Sequence, residues 1–223
     1  MNYETPKKNQ VYLKGEIVCE ATFAREVCGE KFYELFIKVM RLSGNVDVLP
    51  ITISERLIQD GTLEVGKTIC INGQFRSYNM FENGKSRLML TVFVRELLDE
   101  LPEKNTNIIH FNGYICKPPV YRITPFNREV TDLLIAVNRA YNKTDYIPCI
   151  AWGRNARFAN TFSVGDKIEI SGRIQSREYQ KKISETEIKT MTAYEVSISW
   201  LSVLDTEDCF EVDCDDERDA ACL

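Results

Sequence analysis

The sequence predicts an all-β chain folded as two tandem five-stranded barrels, each with a short helix between its third and fourth strands. Three observations lead there. Apolar residues recur mostly at every second position, in runs rich in β-branched and aromatic side chains, as half-buried strands require. The chain also repeats itself. At an offset of 98 residues, Gly15, Arg41, Asp47, Pro50 and Arg56 fall on Gly113, Arg139, Asp145, Pro148 and Arg154. After one inserted residue the offset becomes 99, and Gly66, Gly73 and Ser77 fall on Gly165, Gly172 and Ser176. These identities, broken by a single gap, describe two copies of one module of roughly 90 to 100 residues. The third observation is the order of elements, five strands with one helix after the third, which is that of an OB-fold.

In the first copy the alternation predicts strands near 10–19, 31–41, 46–53, 67–80 and 86–97, with a helical turn starting at Ser54. In the second it predicts strands near 107–115, 128–139, 144–152, 166–179 and 187–203, with a helix at 154–162. Within the long fourth strand, Ile168, Ile170, Gly172 and Ile174 share the inner face. Glu169, Ser171, Arg173, Gln175, Arg177 and Tyr179 share the outer one. Glycine at 73 and 172 is expected to let that strand bend where the barrel turns a corner. The charged, Pro-containing stretch at 99–107 joins the copies, dividing the chain into 1–104, 105–204 and a tail at 205–223.

The chain is 44% hydrophobic and 10% aromatic, an ordinary globular composition. Its net charge of −5 conceals a segregation. Residues 205–223 carry −8 and residues 1–104 carry −1, whereas residues 105–204 carry +4, so the second module is the electropositive part. The polar start, Met1 to Gln10, and a longest aliphatic run of only Leu133 to Val137 predict a cytoplasmic protein. The eight cysteines form no Cys-x-x-Cys pair, and His110 has no partner at ligand spacing. No metal, disulfide framework or cofactor is therefore expected. Cys19, Cys70, Cys116 and Cys149 sit in strand-like apolar runs, where a reduced cysteine acts as a small hydrophobe. No nucleophile-base pair or phosphate-cradling loop stands out, so no catalytic residues are expected.

The second module contains Asn112-Gly113, Pro119-Val120-Tyr121-Arg122-Ile123-Thr124-Pro125, Ala136-Val137-Asn138-Arg139 and the run from Asp145 to Gly153. Gly165-Asp166 and the run from Gly172 to Tyr179 follow. In order and spacing these fragments resemble bacterial single-stranded DNA-binding proteins, over nearly the whole module. The resemblance implies sequence-independent binding and protection of single-stranded DNA during replication, recombination or repair, in a nucleoid-associated protein.

Gripping unpaired DNA without reading it takes a cationic groove for the phosphates and flat rings on which any base stacks. Tyr146 and Trp152 lie six residues apart on one strand and share a face, while Tyr179 ends the outer face of the fourth strand. Tyr141 lies in the loop after Arg139. These four occupy the positions where the resembled family carries its stacking aromatics. Arg154 and Arg177 alternate onto the same sides as those rings. Arg122, Arg139, Lys143 and Arg173 are further candidates for phosphate contact, with Lys181 and Lys182 in the hairpin beyond.

Through the repeat, Tyr141, Tyr146, Trp152 and Tyr179 become Ser43, Val48, Ser54 and Met80, so the first module has lost all four rings. Tyr78, Phe81 and Arg76 remain near that surface. A structural and oligomerising role is expected for it, with weak or displaced DNA contact. The resemblance implies that the acidic tail (Asp213, Asp215, Asp216, Glu217, Asp219) recruits replication and repair proteins, with Leu223 replacing the usual proline and phenylalanine tip. It also implies a homodimer presenting four OB-folds to DNA. A primosome-type accessory protein and a protein-binding scaffold are the competing readings.

Overall fold

Alternation in the sequence becomes alternation in burial. In strand β1 (Asn9–Ile17), Val11, Leu13 and Ile17 are buried while Lys14 and Glu16 face outward. The computed structural model describes residues 9–59, 61–82, 84–101, 105–140, 142–182 and 188–204. After β1 come β2 (Thr22–Val27), β3 (Glu30–Met40) and β4 (Val46–Ser54), then a 3-10 turn (Glu55–Leu57). The Ser54 hydroxyl caps that turn by accepting from the Arg56 N–H at 3.1 Å. Strands β5 (Thr68–Glu82) and β6 (Lys85–Leu98) complete the first barrel. The second repeats the order with β7 (Asn107–Ile115), β8 (Val120–Ile123), β9 (Glu129–Arg139) and β10 (Lys143–Trp152). Helix α1 (Arg154–Ala159), β11 (Lys167–Lys182) and β12 (Ile188–Val203) follow.

Each module closes on itself. Antiparallel pairs link β1 to β3, β3 to β4, β5 to β6 and β1 to β5, and a parallel pair between β4 and β6 completes the ring. The second module closes identically through β7, β9, β10, β12 and β11. Helix α1 buries Ala156 and Ala159, and the Thr131 hydroxyl donates to the Ala156 carbonyl at 2.8 Å. The helix ends three residues earlier than its periodicity predicts. Phe162 instead packs edge-on against Phe158 with ring centroids 4.9 Å apart.

Two strands exceed the five predicted per module. β2 pairs with β3 around a tight turn at Cys28 and Gly29, both at positive φ, and β8 pairs with β9 around Asn127, at φ 56°. Neither strand has a buried hydrophobic face, so neither shows the alternation that reveals the others. Cys70 and Cys149 are buried, as expected of small hydrophobes, and burial pushes the Cys149 thiol well up. Among the described residues no helix is long and apolar enough to cross a membrane.

Ile168, Ile170 and Ile174 line the interior of the second barrel, as predicted. Gly172 sits where the β11–β12 register shifts, and Gly73 occupies the same place in β5–β6. A Cβ at either site would drive into a backbone carbonyl, of Ser197 or of Phe93. Glycine is needed there for close backbone approach as the strand turns.

The two barrels share one sheet. β1 and β7 pair antiparallel, Asn9 with Phe111, Val11 with Ile109 and Leu13 with Asn107. Val11 and Ile109 are repeat equivalents, so the modules are related by a pseudo-two-fold axis passing beside that pair. A single twelve-stranded order results, and one apolar cluster runs through both interiors.

Candidate nucleic-acid interface

Polar residues inside the strands sort onto two surfaces, and the pseudo-two-fold seam is the first. Asp47 is fully buried and accepts from the Ser176 N–H at 2.7 Å and from Arg41 Nε at 2.6 Å. Its equivalent, Asp145, is also fully buried, accepts from the Ser77 N–H at 2.6 Å and pairs with Arg139 at 3.0 Å. The serine hydroxyls return the contact, Ser176 accepting from the Val48 N–H and Ser77 from the Tyr146 N–H. Asn9 and Asn107 each bridge a backbone N–H and carbonyl, of Phe75 and of Ile174. The repeated identities Arg41/Arg139, Asp47/Asp145 and Ser77/Ser176 thus build the junction between modules.

This placement removes two cations from the expected groove. Arg139 is largely buried and neutralised by Asp145. Arg173 is half-buried beside Arg41 and Asp47 and donates to Gln175 at 3.1 Å; burial and the neighbouring Arg41 lower its pKa. Gln175, predicted outward, is buried and donates to Glu195 at 2.8 Å. Arg76 is buried as well, its guanidinium 3.9 Å from the centre of the Phe93 ring, so it does not face solvent as the sequence suggests.

Desolvation by burial raises the pKa of Asp145, opposed by the Ser77 N–H and by Arg139 and Arg76. A carboxylate whose folded pKa is raised contributes stability that is present below its unfolded pKa and lost as pH rises through the folded value. The wild-type advantage over Asp145→Asn is therefore expected to shrink as pH climbs through and above the usual aspartate range. Urea midpoints of the two proteins at a series of pH values check this; a difference that grows with pH would contradict it.

The second surface is the outer side of the second barrel. Tyr146, Trp152 and Tyr179 are 43%, 39% and 37% exposed, far from the burial of ordinary core aromatics such as Phe111 at 2%. Tyr146 and Trp152 project from the outer side of β10, whose Ile147, Cys149 and Ala151 fill the interior. Arg154 and Lys181 are exposed, and Arg177 is exposed while loosely paired with Glu195 at 3.5 Å. Arg122 makes a two-pronged pair with Asp132 at 2.7 and 3.2 Å, leaving little net charge there. Lys143 is half-buried at the start of β10. Tyr141, the Lys182 side chain, Asp213, Asp215, Asp216, Glu217, Asp219 and Leu223 lie outside the described residues.

Residues 106–201, spanning the second barrel, match the model of the Single-strand binding protein family. The second barrel is similar to the domains of that family. A single-stranded DNA-binding protein of Clostridium tetani is 40% identical over 77 residues, 31% of this chain and 53% of that protein. One from Staphylococcus aureus is 34% identical over 77 residues, 31% of this chain and 46% of its own length. The chain thus spans about half the length of the curated relatives it matches. The crystal structure of wild-type single-stranded DNA binding protein from Thermus aquaticus superposes with a TM-score of 0.68 at 19% identity, covering 88% of this chain and 93% of that one. The tandem arrangement of two OB-folds is that fold.

The second barrel has a further feature that the sequence did not reveal. The β8–β9 hairpin carries Val120, Ile123 and Phe126, 58%, 60% and 86% exposed. Ile123 and Arg128 face Trp152 across an open cavity of about 690 Å³. Glu129 at its edge is held by the Tyr121 hydroxyl at 2.8 Å and Arg157 at 2.9 Å. In the first barrel, the equivalents of the stacking positions give a plain surface: Val48 and Ser43 exposed, Met80 half-buried, and Ser54 buried as a cap.

Proposed function

We propose that this chain binds single-stranded DNA without reading its sequence, coating it during replication, recombination or repair with no catalytic step. The observation that carries the reading is the set of three rings, Tyr146, Trp152 and Tyr179, held out of the core on the outer side of the family-matched barrel. Bases stack on these rings, joined by Tyr141, while Arg154, Arg177 and Lys181 follow the phosphates with Lys143, Lys182 and, less strongly, Arg122. Arg139 and Arg173 act in the seam instead. The first barrel is a structural partner. Two chains pair to present four barrels, and the acidic tail at 205–223 recruits other proteins of DNA metabolism.

Oligo-dT is expected to quench Trp152 fluorescence, with an affinity that falls steeply with salt, by a log–log slope of about −0.7 per phosphate contact. A duplex of equal length should bind far more weakly. No quenching together with no salt-sensitive mobility shift would sink the reading. Sedimentation at several concentrations tests the homodimer, and a strict monomer throughout refutes it.

A further inference from the structure

The first barrel keeps a ring on the strand face where its stacking position is lost. Tyr78 lies two residues before Met80 on β5, so both point to one side. Directly across β5–β6 stand Met89, opposite Tyr78, and Arg87, opposite Met80. Tyr78 and Met89 join the cross-strand pair Phe36 and Pro50 in one wall of a groove of about 300 Å³. The other wall belongs to the second barrel and is formed by β12 around Lys189, Met191 and Tyr194. The groove therefore lies between the barrels.

Register ties this groove to the proposed DNA-binding face. Met191 is the direct partner of Tyr179 and Lys189 that of Lys181 in the β11–β12 hairpin, and directly opposed side chains share a face. The hairpin surface that carries Tyr179 and Lys181 thus runs into the groove without a break. Tyr78 is held in place there, its hydroxyl donating to Glu34 at 3.3 Å, while burial and that carboxylate raise the phenol's pKa and keep it protonated. Two methionines beside the ring supply an adaptable apolar surface. Arg87 and Lys189, one on each wall and both exposed, outnumber the single carboxylate of Glu34.

We infer that this groove is a second single-strand site, in which a base stacks on Tyr78 and the flanking phosphates meet Arg87 and Lys189. It takes the strand leaving Tyr179 and carries it onto the first barrel. The inference rests on the DNA-binding reading above. It also gives the first barrel a displaced stacking position in place of the four that its sequence has lost.

The test compares full-length protein binding to oligo-dT of about 10 nucleotides, within the span of one OB-fold, and of about 30, enough for two. Tyr78→Ala with Arg87→Ala is expected to weaken the longer strand by about 5- to 100-fold, from the usual worth of one stacked base. The shorter strand should change less than about twofold, because it is satisfied by the second barrel. Tyr78→Phe, which keeps the ring, should bind as wild type. Arg87→Glu changes an exposed residue and serves if Tyr78→Ala misfolds; it too should weaken only the longer strand. Wild-type affinity of these loss variants for the longer strand overturns the inference and leaves the groove to another occupant, such as a peptide. Equal losses for both lengths also overturn it. Failure of the wild-type protein to bind either oligonucleotide overturns the parent reading instead.

Discussion

Replacing Trp152 and Tyr179 together by alanine is expected to weaken binding to oligo-dT by about 2–6 kcal/mol, the sum of two stacked bases. The rings are 39% and 37% exposed, so their removal opens no cavity in the core and the protein should fold with little loss of stability. The loss should also be independent of salt. Arg154, Arg177 and Lys181 still neutralise phosphates in the variant, so the log–log salt slope stays near its wild-type value while the intercept falls. The converse variant, Arg154→Ala with Arg177→Ala, is expected to flatten that slope by about 0.7 per contact removed. Arg177 contributes the smaller part, since it already leans on Glu195 at 3.5 Å. Isothermal or fluorescence titration at three or four salt concentrations separates the two effects. An unchanged affinity for the double aromatic variant would be fatal to the assignment of the stacking face.

What the sequence made legible follows from what alternation can encode. Strands with one buried face, such as β1 with Val11, Leu13 and Ile17 inside, announce themselves, and so did the repeat that doubles them. β2 and β8 did not, because a hairpin arm lying on the surface has no inner face to pattern. The exposure of Tyr146, Trp152 and Tyr179 was legible for a related reason. Large aromatics at positions that the strand period turns outward are costly to leave exposed unless they meet a ligand. The cations were read less well. Charge at an outward position marks Arg154 and Arg177 as exposed, but Arg173 occupies an outward position that the neighbouring barrel covers, which a strand pattern does not show. Arg139 follows the buried Val137 on the inward side of β9, where Asp145 holds it. A signal was nevertheless present. Asp47 and Asp145 are acids placed at inward, apolar-flanked positions in both copies, each with an arginine six residues earlier. A buried acid repeated with its partner belongs to a contact common to both modules, which is the seam.

Asp47→Ala is the substitution expected to cost most in stability, about 3–5 kcal/mol. Asp47 is fully buried, holds the Ser176 N–H across the junction and binds Arg41 within its own barrel. Its loss strands a half-buried guanidinium and a backbone donor without the carboxylate that both were bound to. Against a total stability of about 5–15 kcal/mol for a protein of ordinary size, that leaves the fold marginal. Asp145→Ala removes the equivalent group but should cost less. Burial disfavours the charged form of Asp145, as its raised pKa records, and Arg139 approaches it at 3.0 Å where Arg41 reaches Asp47 at 2.6 Å. Asp47→Asn keeps an oxygen for the Ser176 N–H and should recover part of the loss. Urea unfolding of the three variants gives the ranking directly. Amide exchange adds the location, because a seam that couples the barrels must lose protection in both β1 and β7 when Asp47 alone is removed. Loss confined to the first barrel, or a cost below about 1 kcal/mol typical of an exposed pair, would mean that the barrels fold independently and that the seam only positions them.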